Sequence, residues 1–115
     1  MTIKANIQID QGTDFDAEIE LLDQNNNALD LTGYSAWSQM KKNYASSDVT
    51  DFTVIVSEPR SLGKLKITLT ESQTNALTPG RYLYDVVVAD SGGKYTRAVQ
   101  GTATVTPGVT STHLT

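Results

Sequence analysis

The sequence predicts an all-β protein, an immunoglobulin-like sandwich of about seven or eight short antiparallel strands with one helical turn. Two observations carry this. Apolar and polar residues alternate with period two along most of the 115 residues, as strands with one buried and one wet face require. Nothing in the chain alternates strand with long helix, as a parallel α/β sheet would. Several one-faced sheets bury their apolar sides by stacking as a sandwich, and a closed barrel is the structural alternative.

The elements follow in order. In TIKANIQID, Ile3, Ala5, Ile7 and Ile9 share a face, and Gly12 ends the piece. DFDAEIELLD repeats the pattern, with Phe15, Ala17, Ile19 and Leu21 on one side and Asp16, Glu18 and Glu20 on the other. Three carboxylates on one face must meet water, because unpaired buried charge is costly. DQNNNALD is a turn, since Asn tolerates left-handed backbone and its side chain caps its own turn. YSAWSQMKK is a third strand, with Tyr34, Ala36, Ser38 and Met40 on one face and Trp37 on the other. Periodicity alone leaves open which of those faces is the core.

After a polar loop, DFTVIVSE puts Phe52, Val54 and Val56 on one side, and KLKITLT does the same with Leu65, Ile67 and Leu69. ESQTNAL is too short for more than a turn or two of helix. Thr70 and Gln73 have the spacing of a capping box at its start. PGRYLYDVVVAD follows, with Tyr82, Tyr84, Val86 and Val88 in phase. DSGGK is a hairpin turn with glycines for positive φ. KYTRAVQGTATV is a long last strand in which Gly101 marks an expected bend or bulge. The sandwich is expected over residues 1–108, with 109–115 a flexible or partner-docked tail.

Composition excludes several functions. The absence of cysteine removes disulfides and thiolate metal sites. A net charge of -4 disfavours nucleic acid, which selects a basic field. No apolar run is long enough for membrane insertion. The start, MTIKANIQIDQG, lacks the apolar core of a signal peptide.

Catalytic chemistry is equally poor. The carboxylates from Asp10 to Glu20 decorate a strand face rather than a cleft. Asp23, Asn25 and Asn27 have the spacing of a calcium loop, but Ala28 replaces the required glycine and Tyr34 the terminal glutamate. His113 is the only histidine, so no serine has a triad partner pattern. No enzyme activity, metal or cofactor is expected. A candidate interaction surface remains. Tyr34, Trp37 and Tyr44 form a candidate aromatic platform for a protein or a surface glycan. Lys41 and Lys42, next to Tyr44, form the local basic patch.

Several of these pieces occur in an order that resembles a known family. LDLTG (Leu29 to Gly33), PGRYLYDV (Pro79 to Val86) and VQGTATVTPGVT (Val99 to Thr110) carry the likeness. With AWSQMKKN, GKLKITLT and ESQTNAL between them, the chain is similar over residues 3–110 to the small immunoglobulin-like domains of tailed-bacteriophage virion proteins. These include the N-terminal domain of phage upper baseplate proteins and short structural proteins of cyanophages and other marine phages. The resemblance implies a non-enzymatic structural protein located in the virion. Its role would be an assembly or adaptor module of tail, baseplate or neck, and its partners other phage structural proteins, with homo-oligomers included. Capsid decoration and glycan or host-surface binding are the alternatives. The resemblance also implies structural roles for matched residues: Leu31 fills the core, Gly33 permits a turn, Pro79 and Gly80 position the next strand, Tyr82 and Tyr84 brace it, and Gly101 breaks the last strand.

Overall fold

The computed structural model describes residues 3–110. His113 and most of the expected tail, 111–115, lie outside the described residues, as do Met1 and Thr2. The chain forms strands β1 (Ile3–Lys4), β2 (Ile7–Asp10), β3 (Phe15–Glu20), β4 (Ser35–Lys41), β5 (Val49–Val56), β6 (Lys64–Leu69), β7 (Gly80–Ala89) and β8 (Tyr95–Thr106). A 3-10 turn, Arg60–Leu62, precedes β6, and one short helix, α1 (Glu71–Asn75), follows it. The protein is therefore all-β, as the alternation predicts.

The strands run in the order β1-β8-β7-β4-β5-β6-β3, with β2 also on β8. β5 folds this continuous ribbon into two layers. Its first half pairs with β4 (Phe52 opposite Ser38), and its second half pairs with β6 (Thr53 opposite Thr68). One layer is thus β1/β2-β8-β7-β4-β5 and the other β5-β6-β3. Their inner faces supply a single core that includes Leu65, Ile67 and Leu69 from the smaller layer and Met40, Val86, Val99 and Val105 from the larger. Phe52 sits where β5 changes layers. Its ring lies 6.1 Å from that of Phe15 and 6.3 Å from that of Tyr84, so three aromatics span the two layers.

Two expectations need correction. The strands are not all antiparallel: β1 and β2 run parallel to β8. These strands come from opposite ends of the chain, so no hairpin dictates their direction. Gly101 does not break the last strand, which is continuous from Tyr95 to Thr106. The break lies in the neighbouring chain, between β1 and β2. There the Ala5 carbonyl turns across Gly101 and accepts a 2.6 Å hydrogen bond from the Tyr84 hydroxyl. A Cβ at Gly101 would strike that carbonyl, so the glycine serves close backbone approach. The irregularity of β8 is instead at Ala98. Val86 faces Val99 and Val87 faces Arg97, which leaves Ala98 as the extra residue of a bulge.

The other framework residues stand as follows. Leu31 is buried in the core. Gly33, at φ 80°, closes a turn in which the Tyr34 N–H donates to the Leu31 carbonyl at 3.0 Å. Pro79 and Gly80 lead into β7. The Tyr82 hydroxyl donates back to the Thr78 carbonyl at 2.7 Å, which ties the strand to the turn before it. Asp23 Oδ1 accepts the N–H groups of Asn25 and Asn27, so this carboxylate serves its own turn. Asp90 Oδ1 does the same for Gly92 and Lys94 in the β7–β8 hairpin.

Helix α1 has the full capping box, with Thr70 Oγ1 accepting from the Gln73 N–H and Gln73 Oε1 accepting from the Thr70 N–H. Thr74, fully buried, fastens it to the β2–β3 turn. Its hydroxyl accepts from the N–H groups of Gly12 and Thr13 and donates to the Thr13 carbonyl at 2.7 Å.

Candidate functional site

The bulge at Ala98 creates the most distinctive surface of the molecule. Inner residues of β8 beyond it, Val99, Ala103 and Val105, are odd-numbered and buried. Without a bulge Tyr95 and Arg97 would share their phase and point inward. The extra residue reverses the phase, and both stand exposed on the outer face of the larger layer. Trp37 of β4 occupies the same face, 48% exposed, and Tyr95 is 68% exposed. Their rings stack across the intervening β7, with centroids 5.6 Å apart and planes 21° apart. Ala89, register partner of Tyr95, is buried although it lies outside the inter-sheet core, consistent with a roof formed by the aromatic pair.

Beside the pair the face is polar. Arg97 Nε donates to Asp85 Oδ2 at 3.0 Å, and Gln39 Nε2 donates to Asp51 Oδ1 at 2.6 Å. A groove of about 440 Å3 runs on from there, with Leu83 and Gln100 on its floor strands and Lys4, Lys41 and Tyr44 among its further lining. The ion pair is solvent-exposed, so it orients Arg97 more than it stabilises the fold.

The sequence-predicted interaction residues do not form one platform. Tyr34, just before β4, packs against the core, away from Trp37 on the outer face. Tyr44 is 86% exposed in the β4–β5 loop and borders the groove with Lys41. Lys42 points elsewhere, its Nζ 4.7 Å from the centre of the Tyr82 ring in a cation–π contact. The aromatic partner of Trp37 is Tyr95, which sequence reasoning missed, along with Asp85 and Arg97. One signal was present: period two alone would have buried Arg97 beside Val99, and an unpaired buried charge is costly, so a phase break was required between them.

Among the described residues, two ionisable groups depart from their usual behaviour. Burial pushes the Tyr84 phenol up. Hydrogen bonds from the Thr32 hydroxyl and backbone N–H hold Asp30 down. Neither belongs to the groove's charged set. Among the described residues no group of three or more His, Asp or Glu could hold a metal ion, and no helix is long and apolar enough to cross a membrane.

No protein-family model matches the chain, and no curated protein sequence does either. Among solved structures, it is similar to an internalin-like protein of Listeria monocytogenes, with a TM-score of 0.45 and 12% identity over 93% of this chain. It is also similar to a family 123 glycoside hydrolase from Clostridium perfringens, with a TM-score of 0.45 and 11% identity over 93% of this chain. The chain spans 28% and 23% of the lengths of those two proteins.

Proposed function

We propose that the chain is a non-enzymatic structural module of a tailed-bacteriophage virion. It acts as an assembly or adaptor piece of tail, baseplate or neck, and another virion structural protein docks on the Trp37–Tyr95 end of its outer face. The order of LDLTG, PGRYLYDV and VQGTATVTPGVT supports the virion reading. One observation carries the docking surface: two large rings lie stacked and exposed on a sheet face, with Arg97 in register beside them. Trp, Tyr and Arg are the residues that dominate binding energy at protein interfaces. Repetition around a symmetric particle multiplies modest contacts.

Mass spectrometry of purified source particles tests the first half, and absence of the protein from them overturns the virion reading. Binding of the purified chain to the separated particle proteins tests the second. Trp37→Ala is expected to weaken that binding by about 30-fold, the equivalent of a hot-spot residue near 2 kcal/mol. Its melting temperature is expected to stay close to that of the parent, because the ring lies outside the core. Undiminished binding would remove the aromatic pair from the interface.

A further inference from the structure

The groove next to the aromatic pair has a chemistry of its own. At its level, β4 is paired by β5 and β7, β7 by β4 and β8, and β8 by β7 and the N-terminal segment. Ladder bonds occupy the backbone there. Even the Thr102 N–H is taken by Asn6 Oδ1. A peptide that adds as a strand needs a free edge and finds none on β4, β7 or β8, so a ligand over the face of these strands meets side chains only.

Those side chains have a consistent character. Lys4, Lys41 and Arg97 are set against one carboxylate, Asp85, in a chain whose net charge is -4. This local excess of positive charge favours an anion. Arg97 is already oriented by Asp85. The Lys4 and Lys41 ammonium groups and the Gln100 amide have no hydrogen-bond or ion-pair partner among the described residues. The amide offers both donors and an acceptor, as hydroxyl-rich ligands require. Leu83 gives an apolar floor and Tyr44 an exposed ring at the rim. The volume of about 440 Å3 lies in the range of small-ligand sites.

We propose that this groove binds a short oligosaccharide that carries carboxylates. Lys41 and Lys4 receive the carboxylate, Gln100 bonds the sugar hydroxyls, and Tyr44 covers a ring face. The site goes beyond the assembly role: its lining holds neither Trp37 nor Tyr95, and Arg97 is the residue the two surfaces share.

The test is NMR titration of the full chain with a short oligogalacturonate, a neutral oligosaccharide of the same length, an oligoglutamate peptide and inorganic phosphate. With the uronate, saturable shifts are expected at Lys41, Leu83, Gln100 and Thr102, weakening as salt is raised. The neutral sugar is expected to bind at least tenfold more weakly, roughly the loss of one charge-assisted contact. Lys41→Gln and Gln100→Ala are each expected to reduce uronate affinity about fivefold or more. Trp37→Ala and Lys64→Gln are expected to leave it unchanged, with thermal melting confirming that every variant folds. Absence of saturable shifts with the uronate overturns the proposal. Equal binding of the peptide or phosphate also overturns it, and would assign the groove to acidic peptides or simple anions. Loss of partner docking with retained uronate binding would separate failure of the assembly reading from failure of this one.

Discussion

Tyr84 connects three strands through one side chain. It belongs to β7, faces Gly101 of β8 in register, and donates its hydroxyl to the Ala5 carbonyl at the break between β1 and β2. The phenol is buried, and burial raises its pKa above the usual value. A raised folded-state value means that this contribution is complete below the unfolded-state value of about 10. It is lost as pH rises through the folded-state value, because the unfolded chain ionises first. Stability is therefore expected to decline above about pH 10, and Tyr84→Phe is expected to flatten that alkaline limb in chemical denaturation. At neutral pH the same variant leaves the part-buried Ala5 carbonyl without this donor, at a cost of about 1 kcal/mol. Asp30 works in the opposite direction. Its carboxylate is held down by Thr32, so its contribution is present above the normal carboxylate range and fades as pH falls through its lowered value. At this scale the sequence was informative about phase. Tyr82 and Tyr84 align with Val86 and Val88, and that side does face the core. It did not show that the two hydroxyls reach different targets, since the Ala5 carbonyl is 79 positions away from Tyr84.

Among the elements, α1 shows how a short helix persists. Five residues cannot hold a helix in isolation. The capping box satisfies its start, and the buried Thr74 hydroxyl locks it to the β2–β3 turn. Thr74→Val keeps the shape and removes the hydroxyl from its hydrogen bonds with Gly12, Thr13 and Glu71. The expected loss is about 2–3 kcal/mol, and hydrogen exchange is expected to accelerate at Gly12, Thr13 and Thr74 ahead of the sheet amides. A uniform loss of protection over all strands would show instead that helix and sheet open as one unit. The capping box was legible because it is a local spacing of Thr70 and Gln73. The Thr74 clamp was not, because its partners are 61 and 62 residues away. The β8 bulge is the other decision made at this scale. By inserting Ala98 it turns Tyr95 and Arg97 outward, and the candidate site exists only on that account.

For the whole molecule, the turning point is β5. Because it pairs with β4 over one half and β6 over the other, it holds both layers, and Phe52 fills the corner between Phe15 and Tyr84. Phe52→Ala is expected to destabilise the protein by about 3–5 kcal/mol, measured by denaturant unfolding. A cost near 1 kcal/mol would show that the corner collapses around the gap. The sequence by itself determined the all-β class, the inner face of most strands, the turn at DSGGK, and the cap of α1. Each is set by contacts within a few residues, where a period of two or a fixed spacing can be read directly. The tertiary structure alone decided that β1 and β2 run parallel to β8, that Gly101 makes room for a crossing carbonyl, and that Trp37 meets Tyr95 rather than Tyr34. These depend on register between distant strands. A period-two pattern fixes which side of a strand is apolar, but it carries no information about which residue of another strand lies alongside, or where one extra residue reverses the phase.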